Sequence, residues 1–398
     1  MSKRRNETQA TDERPSKPRR KRRGRTLIRL LILAVLAAGC VTVWHFREQI
    51  APNSLLIWLD NLLAGGEAGE GFPIALDGSE IVAMQATEDG YLAVVDGTEL
   101  HFYNGKGGEE VRRTHGFSSP GMQAAGKYVC VTEKGGRRLR LETRAKTVCE
   151  ITTQFDILTA AVSENGNVAV LTAADQNYTS KITVYDAAGK VLYDRNRAEQ
   201  GVAVALSPDG RCVAVTGVGV QMGALYATLD VYSLSTTGEA LYTCRGEEQL
   251  MHRLAFVDNV TVAAAGTAEV WVCDIDAKTA AVSRLTDGEL IAFGVTGRSV
   301  AFVQRPYGST RGGRITVLSP DGAVCYRREF TGAFRAMGSY ARGHMLMTEG
   351  EVLFCGNDRP LGATAVSTDG LRVAVFRNRV LVLGLTELSS YPLPQTDG

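Results

Sequence analysis

The sequence predicts an all-β fold, a β-propeller preceded by one transmembrane helix, and three observations predict it. From residue 72 onward, short runs rich in Val, Ala, Leu and Tyr alternate with turns that contain Gly and Asp, as is typical of β-strands joined by tight turns. One kind of run, a small apolar strand that directly follows a turn, recurs eight times. Its spacing is roughly 40 residues, the size of a propeller blade. Near the amino terminus, one apolar stretch is long enough to cross a membrane as a helix.

The amino-terminal segment is strongly basic. Residues 1–29 contain twelve Lys and Arg against three Asp and Glu, although the whole chain has a net charge of only +1. This asymmetry indicates a basic tail and a separate acidic body. Residues 1–26 show no apolar periodicity and are predicted to be a disordered cytoplasmic tail. Because the charges adjoin the apolar stretch, membrane orientation explains them, and no nucleic-acid partner is expected.

Residues 27–46 are predicted to form the transmembrane helix, since residues 30–46 contain no charged side chain and Arg29 can reach the headgroups. The basic flank predicts that the tail stays in the cytoplasm and the body is exported, as a single-pass plasma-membrane protein in contact with lipid. The alternative is a lipoprotein anchored at Cys40, because residues 36–40 resemble a lipoprotein processing site. The apolar run continues past Cys40, which favours the retained span.

Residues 47–71 are predicted to contain a short membrane-proximal helix and a Gly-rich linker. Asn53 or Ser54 can cap this helix and Gly65-Gly66 can end it. The helix is apolar on nearly every side, so it is expected to be buried or to lie in the membrane interface. A stalk under the body and a partner-binding helix are both compatible with this composition.

The propeller is predicted over residues 72–393, followed by a short tail at 394–398. Its clearest unit is residues 202–244, in which four strands, 202–206, 212–216, 228–234 and 239–242, are joined by turns such as Ser207-Pro208-Asp209-Gly210. The eight markers of the second strand are residues 90–95, 126–131, 166–170, 210–215, 258–262, 297–302, 343–347 and 370–375.

The ends of the repeat leave two questions open. The eighth unit ends at residues 379–383 and lacks a fourth strand, which either residues 388–393 or residues 72–76 could supply to close the ring. Eight blades are favoured; seven is the alternative, because the seventh unit is short.

Three segments carry a resemblance to a known group of proteins: Gly71-Phe72-Pro73 after the linker, residues 100–105 and residues 115–120. With them the chain resembles a family of uncharacterised bacterial single-span membrane proteins with an exported propeller-like domain. The resemblance implies topology and assigns no active site. Similarity to WD40 repeats is weaker, because no Trp-Asp dipeptide ends a third strand.

No catalytic residue, metal ligand or cofactor site is expected, and the chain is predicted not to be an enzyme. The five histidines (His45, His101, His115, His252 and His344) are scattered without metal-ligand spacing. Residues 217–223 depart from the dinucleotide fingerprint and are predicted to be a flexible loop between two strands. Because Trp271 is the only tryptophan of the body, the repeated tryptophans of quinone-binding propellers are absent.

The exported part has seven cysteines. Their odd number, irregular spacing and predicted places in strands argue against a disulfide framework. The one pairing considered is Cys130 with Cys149, within one unit.

These features predict a membrane-anchored extracytoplasmic propeller that acts as a protein-interaction or envelope scaffold module, with a protein or cell-envelope component as partner. A ligand-sensing propeller with a small solute in its funnel is the alternative, and an envelope glycan-acting enzyme is a third possibility. Candidate funnel residues, chosen because they lie at strand starts, are His252, Arg253 and Arg335.

Overall fold

The computed structural model describes residues 71–76, 80–175, 177–236 and 238–394. These residues form eight four-stranded antiparallel sheets, which confirms the prediction of eight blades over seven. The predicted basic tail, transmembrane helix, Cys40 lipidation site and membrane-proximal helix all lie outside the described residues. In the part of the chain that is described, no helix has the length and apolarity to cross a membrane.

The strands follow one another blade by blade. The first strand of the chain is β1 (Ile74–Ala75), which belongs to the last blade. Blades 1 to 4 are formed by β2 (Ala83–Ala86), β3 (Leu92–Val95), β4 (Glu99–Tyr103), β5 (Glu109–Thr114); β6 (Pro120–Ala125), β7 (Tyr128–Glu133), β8 (Arg138–Glu142), β9 (Thr147–Thr152); β10 (Ile157–Val162), β11 (Val168–Ala173), β12 (Ser180–Tyr185), β13 (Val191–Arg197); β14 (Gln200–Leu206), β15 (Cys212–Gln221), β16 (Ala224–Ser233) and β17 (Tyr242–Glu247). Blades 5 to 8 are formed by β18 (Met251–Phe256), β19 (Thr261–Gly266), β20 (Glu269–Asp274), β21 (Thr279–Arg284); β22 (Glu289–Thr296), β23 (Ser299–Arg305), β24 (Gly313–Leu318), β25 (Val324–Phe330); β26 (Phe334–Tyr340), β27 (Gly343–Thr348), β28 (Glu351–Gly356), β29 (Pro360–Ala365); and β30 (Arg372–Phe376), β31 (Arg379–Leu383), β32 (Glu387–Pro392) with β1.

Each of blades 1 to 7 starts at its innermost strand and ends at its outermost one. Innermost strands of neighbouring blades pack against each other, and the contact between β30 and β2 closes the ring. The hydrophobic core lies between blades: Leu171 and Ile182 of blade 3 pack against Val213 and Val215 of blade 4. Because each blade buries both of its faces, its second strand is almost continuously apolar instead of alternating, and this produced the repeated marker in the sequence.

Blade 8 is assembled from both ends of the chain. β30 is its innermost strand, β31 and β32 follow, and β1 is its outermost strand, with Ile74 opposite Leu388. Both segments that were predicted as alternative closing strands therefore take part. The assignment of residues 370–375 as a second strand was wrong, because β30 is the first strand of its blade. Its apolar run resembles a second strand because it too is flanked by neighbouring blades.

The two faces of the ring differ in the turns they carry. Since neighbouring strands run in opposite directions, turns between first and second and between third and fourth strands lie on one face, which we call the proximal face. Residue 71 lies on this face, because it immediately precedes the fourth strand of blade 8. Turns between second and third strands, and the connections between blades, lie on the opposite or distal face.

Turns of the proximal face also join the blades to one another. The Glu88 amide donates to the Gly126 carbonyl (2.8 Å) across blades 1 and 2. Asn165 Nδ2 donates to the Asp209 carbonyl (3.0 Å), and the Asp209 amide donates to Asn259 Oδ1 (3.0 Å). The Asp and Asn residues predicted for local turn formation thus also connect blades 3, 4 and 5.

Blade 4 contains the longest hairpin, and one prediction failed there. Residues 217–221 belong to β15, so the predicted flexible loop is wrong. The connection to β16 is the two-residue turn Met222-Gly223, with φ values of 51° and 84°; positive φ at both central residues is the requirement of a type I′ hairpin turn. Likewise, residues 239–241 precede β17, which begins at Tyr242.

The described cysteines are all free thiols. Cys130 and Cys149 both pair with Leu141, from opposite sides, so they are two strands or about 10 Å apart, beyond the reach of a disulfide. The pairing considered from the sequence is therefore wrong. The thiols that do meet are Cys244 of blade 4 and Cys273 of blade 5, whose hydrogen bond lowers the pKa of Cys244.

We expect alkylation of the denatured, unreduced body to label all seven cysteines, because none is paired. Intact mass after labelling measures the number, and prior reduction is the control, which should add no label. A gain of two labels after reduction would contradict the free-thiol assignment.

Candidate functional site

The tip of the β15–β16 hairpin projects from the distal face. β14 pairs with β15 only as far as Val218, and β17 pairs with β16 only as far as Tyr226, so residues 219–225 extend beyond the sheet. Three apolar side chains are exposed there: Val220 (66%), Met222 (99%) and Leu225 (53%). A projecting cluster of exposed apolar side chains is typical of a protein-interaction surface.

The base of this hairpin is held by a buried arginine. Arg197 ends β13 of blade 3 and its side chain is 2% exposed. Its Nη2 lies 2.7 Å from Asp230 Oδ2 and 3.1 Å from Thr228 Oγ1, and its Nη1 donates to Tyr232 Oη (3.1 Å). All three partners belong to β16, so one guanidinium fastens the hairpin to the neighbouring blade.

A second arginine supports the hairpin from the outer side. Arg245 of β17 stacks on the ring of Tyr226, with 3.7 Å from Cζ to the ring centroid, and donates to Gln221 Oε1. Tyr226 Oη donates in turn to Glu199 Oε1 (3.5 Å). Because both sides of the base are fixed, the apolar tip is presented on a rigid support, which reduces the entropic cost of binding.

The mouth of the central funnel on the same face carries a repeated irregularity. Near the start of the innermost strand, five consecutive blades (3 to 7) contain one extra residue relative to the second strand. The extra residues are Leu158, Val202, His252, Ile291 and Arg335. Such bulges re-aim side chains and are often next to functional sites.

The funnel residues proposed from the sequence lie at these positions. His252 and Arg335 are bulge residues of β18 and β26, and Arg253 follows His252. Burial lowers the pKa of His252, whereas Arg253 and Arg335 are exposed. The structure therefore brings the three residues to the innermost strands, and their role in binding stays a prediction.

A buried polar network lies at the seam between blades 8 and 1. His101 Nε2 is 3.1 Å from Asp96 Oδ2 and His101 Nδ1 is 2.7 Å from Glu109 Oε1. Burial by itself would raise the pKa of Asp96, but hydrogen bonds from the amides of Thr98 and Glu99 and from His101 hold it below its usual range. The network ties the β3–β4 turn to β5.

The same network contains the donor atoms that a divalent cation would use. Single donor atoms of Asp96, Glu99 and His101 lie within 4.8 Å of one another, and Glu109 would orient the imidazole through Nδ1. An ion there would have to replace the hydrogen bond between His101 and Asp96. This group was not predicted from the sequence, although Asp96, Glu99 and His101 lie within six residues.

A cavity of about 210 Å³ lies beside this network. The closing strand forms its apolar side through Ile74, Ala75 and Leu76, and the polar side contains His101, Glu109 and Arg112. A hydrogen bond from Arg112 lowers the pKa of Glu109. This cavity is at the ring closure, and the small solute expected in the funnel stays a prediction.

His344 of β27 is in a different setting, fully buried between blades 6 and 7. Its Nε2 is 2.9 Å from Ser299 Oγ and its Nδ1 is 2.9 Å from Ser339 Oγ. Since Ser299 donates to Asn357 Oδ1 (2.6 Å), the hydrogen-bond network assigns the proton to Nε2. Burial lowers the pKa of His344 to about 4.

Comparison with solved structures shows the fold alone. The propeller is similar to Saccharomyces cerevisiae Sqt1, at 10% identity and a TM-score of 0.59, covering 83% of this chain and 100% of that one. It is also similar to a chain of Kuenenia stuttgartiensis hydrazine synthase, at 13% identity and a TM-score of 0.50, covering 82% and 99%. No curated protein matches the sequence.

Comparison with protein families gives one match over most of the propeller. The profile of a family of unknown function (DUF5711) matches residues 78–356. The match runs from the start of blade 1 into blade 7 and includes the long hairpin, the Arg197 cluster and the His101 network.

Proposed function

Since the chain belongs to this family of unknown function, DUF5711, we propose a function from its own geometry: a membrane-tethered, non-enzymatic propeller that binds a protein partner through its distal face. The apolar tip of the β15–β16 hairpin is the observation that carries the proposal. It combines large exposed apolar side chains with a base fixed by Arg197 and Arg245.

The position of the tip supports this role. The hairpin belongs to blade 4, across the ring from blade 8, and lies on the face opposite residue 71. The tip and the point where the amino-terminal segment joins the ring therefore lie on opposite faces and opposite sides of the ring.

We expect a photoreactive residue at position 222 of the full-length membrane protein to crosslink to a discrete protein partner. The double variant Val220→Ser/Leu225→Ser should abolish the crosslink, because it removes the apolar area that flanks position 222 without touching the buried base. Crosslinking in intact cells followed by mass spectrometry of the product provides the measurement.

The control is Leu192→Ser/Val282→Ser, which removes two exposed apolar side chains (43% and 50%) from outermost strands. This variant should crosslink like the wild type. Equal loss of crosslinking in the two double variants, or an undiminished product in the tip variant, would refute the distal-face assignment.

The cavity at the ring closure supports a second candidate, a sensor for a small polar solute. Three residues of its wall belong to the amino-terminal segment that closes the ring, so a bound solute would contact the closing strand directly. Thermal-shift screening of the propeller should then find a stabilising solute whose effect disappears in Arg112→Gln. Stabilisation that is equal in wild type and variant would place the solute elsewhere.

A further inference from the structure

The proximal face is electrostatically divided, and we propose that its basic half is a docking surface for anionic phospholipid headgroups. This inference rests on the membrane tethering in the proposed function and adds a second, surface contact with the bilayer. It concerns the turns of blades 7, 8, 1 and 2, which surround the place where residue 71 joins the ring.

Charge counts on this face show the division. Among the described residues between first and second and between third and fourth strands, blades 7, 8, 1 and 2 contribute seven Lys and Arg and three Asp and Glu. The corresponding turns of blades 3 to 6 contribute four basic and seven acidic residues. One half of the face is thus net positive and the other net negative, although the body as a whole is acidic.

Three of these seven basic residues are lysines. Lys106 and Lys146 are exposed and Lys127 is partly exposed, and no described carboxylate forms an ion pair with any of them. Arg144 is instead neutralised by Glu110 (3.6 Å). Lys127 lies over the ring of Tyr128, with 5.6 Å from Nζ to the ring centroid. Lysines that form no ion pair are free to exchange their counterions for lipid phosphate groups.

The chain joins the ring directly beside the turn that contains Lys106. A Cβ placed on Gly107 would lie 2.9 Å from the Gly71 carbonyl oxygen, so Gly71 lies against the turn that contains Lys106. Arg377 of blade 8 covers Gly105 of the same turn, and its Nη2 donates to the Gly90 carbonyl (3.4 Å). Gly71, where the chain joins the ring, therefore lies on the basic half of the proximal face.

The electrostatics of a bilayer surface explain why an anionic lipid is the fitting partner. Each Lys near an anionic leaflet strengthens binding roughly five-fold, and the attraction is lost beyond one Debye length. The acidic half of the face is repelled by the same surface. The ring would consequently tilt, with blades 8, 1 and 2 against the headgroups.

Vesicle sedimentation of the propeller, residues 66–398, tests this inference. These residues form a compact unit by themselves and include the closing strand, so the result is independent of the predicted span. We expect binding to vesicles of equal parts phosphatidylglycerol and phosphatidylcholine, little binding to pure phosphatidylcholine, and loss of binding at high salt. Lys106→Gln/Lys127→Gln/Lys146→Gln should weaken binding by about 100-fold.

The matched control is Lys190→Gln/Lys278→Gln/Arg298→Gln, which removes the same charge from the same kinds of turn on the acidic half. This control variant should bind anionic vesicles at least as well as the wild-type propeller does. Equal weakening in both triple variants, or equal binding to neutral and anionic vesicles, would overturn the docking surface. Fractionation of the full chain tests the tether separately, and crosslinking at position 222 tests the distal face.

Discussion

Arg197→Met is expected to lower the free energy of unfolding by about 3–5 kcal/mol, because it leaves the largely buried Asp230 carboxylate without its cation. The Asp230 side chain is only 12% exposed, so water cannot replace the guanidinium at low cost. Tyr232 and Thr228 lose hydrogen-bond partners as well. Urea unfolding followed by circular dichroism measures the change.

A double variant distinguishes the cost of leaving the Asp230 carboxylate unpaired from the cost of lost packing around residue 197. In Arg197→Met/Asp230→Asn, the amide can still accept the hydrogen bond from Thr243 Oγ1, which is 2.8 Å from Asp230 Oδ1. The double variant should therefore be more stable than Arg197→Met alone. If Arg197→Met costs less than about 1 kcal/mol, as removal of a solvated surface pair does, the pair does not fasten blade 4 to blade 3.

Acidification is expected to destabilise the propeller between about pH 6.5 and pH 4 through His344. The pKa of His344 is lowered to about 4 by burial, whereas the unfolded chain has a His pKa of about 6.5. In this window the unfolded state binds a proton that the folded state does not, so stability falls as the pH falls. The full loss is about 3 kcal/mol and is complete near the folded pKa.

His344→Gln provides the comparison, because glutamine does not titrate. The variant should lose most of the difference in unfolding free energy between neutral and mildly acidic buffer, whatever its stability at neutral pH. In this variant the unfolding free energy should still fall slightly as the pH falls, because burial also lowers the pKa of His115 and His252. An unchanged pH dependence in His344→Gln would show that another group is responsible.

The parts of the fold that could be predicted from the sequence depend on interactions within a single blade. Turn sequences such as Ser207-Pro208-Asp209-Gly210 fix hairpins locally, and the buried second strand leaves an apolar run that can be counted. These two signals were sufficient for eight blades. That the histidines bind no metal and that the chain has no catalytic site both stay predictions.

What the sequence did not show depends on partners in other strands, and in two cases on partners in other blades. Arg197 meets Asp230 across 33 positions of the chain and Ser299 meets His344 across 45, and no local pattern marks either pair. The alternating Gly and Val of residues 217–221 were taken for a loop because Gly is common in loops; pairing with residues 224–228 makes them a strand. The bulge at His252 is equally invisible without its partner strand.

The wrong strand position predicted for residues 370–375 in blade 8 has a related cause. Its fourth strand comes from the opposite end of the chain, so β30 takes the first position although its composition matches a second strand. Its run of Val and Ala matches a second strand, although β30 is less buried than β31, and the sequence does not tell the two positions apart. Only the pairing of β1 with β32 distinguishes them.

The joint between β1 and β32 also determines how the molecule responds to mechanical load. β1 is only two residues long, and it is the strand that follows directly on Gly71. Tension from the amino-terminal side would reach the ring through this short strand before any other. Blade 8 would peel first, while blades 1 to 7, each made of four consecutive strands, keep their pairing until the ring has opened.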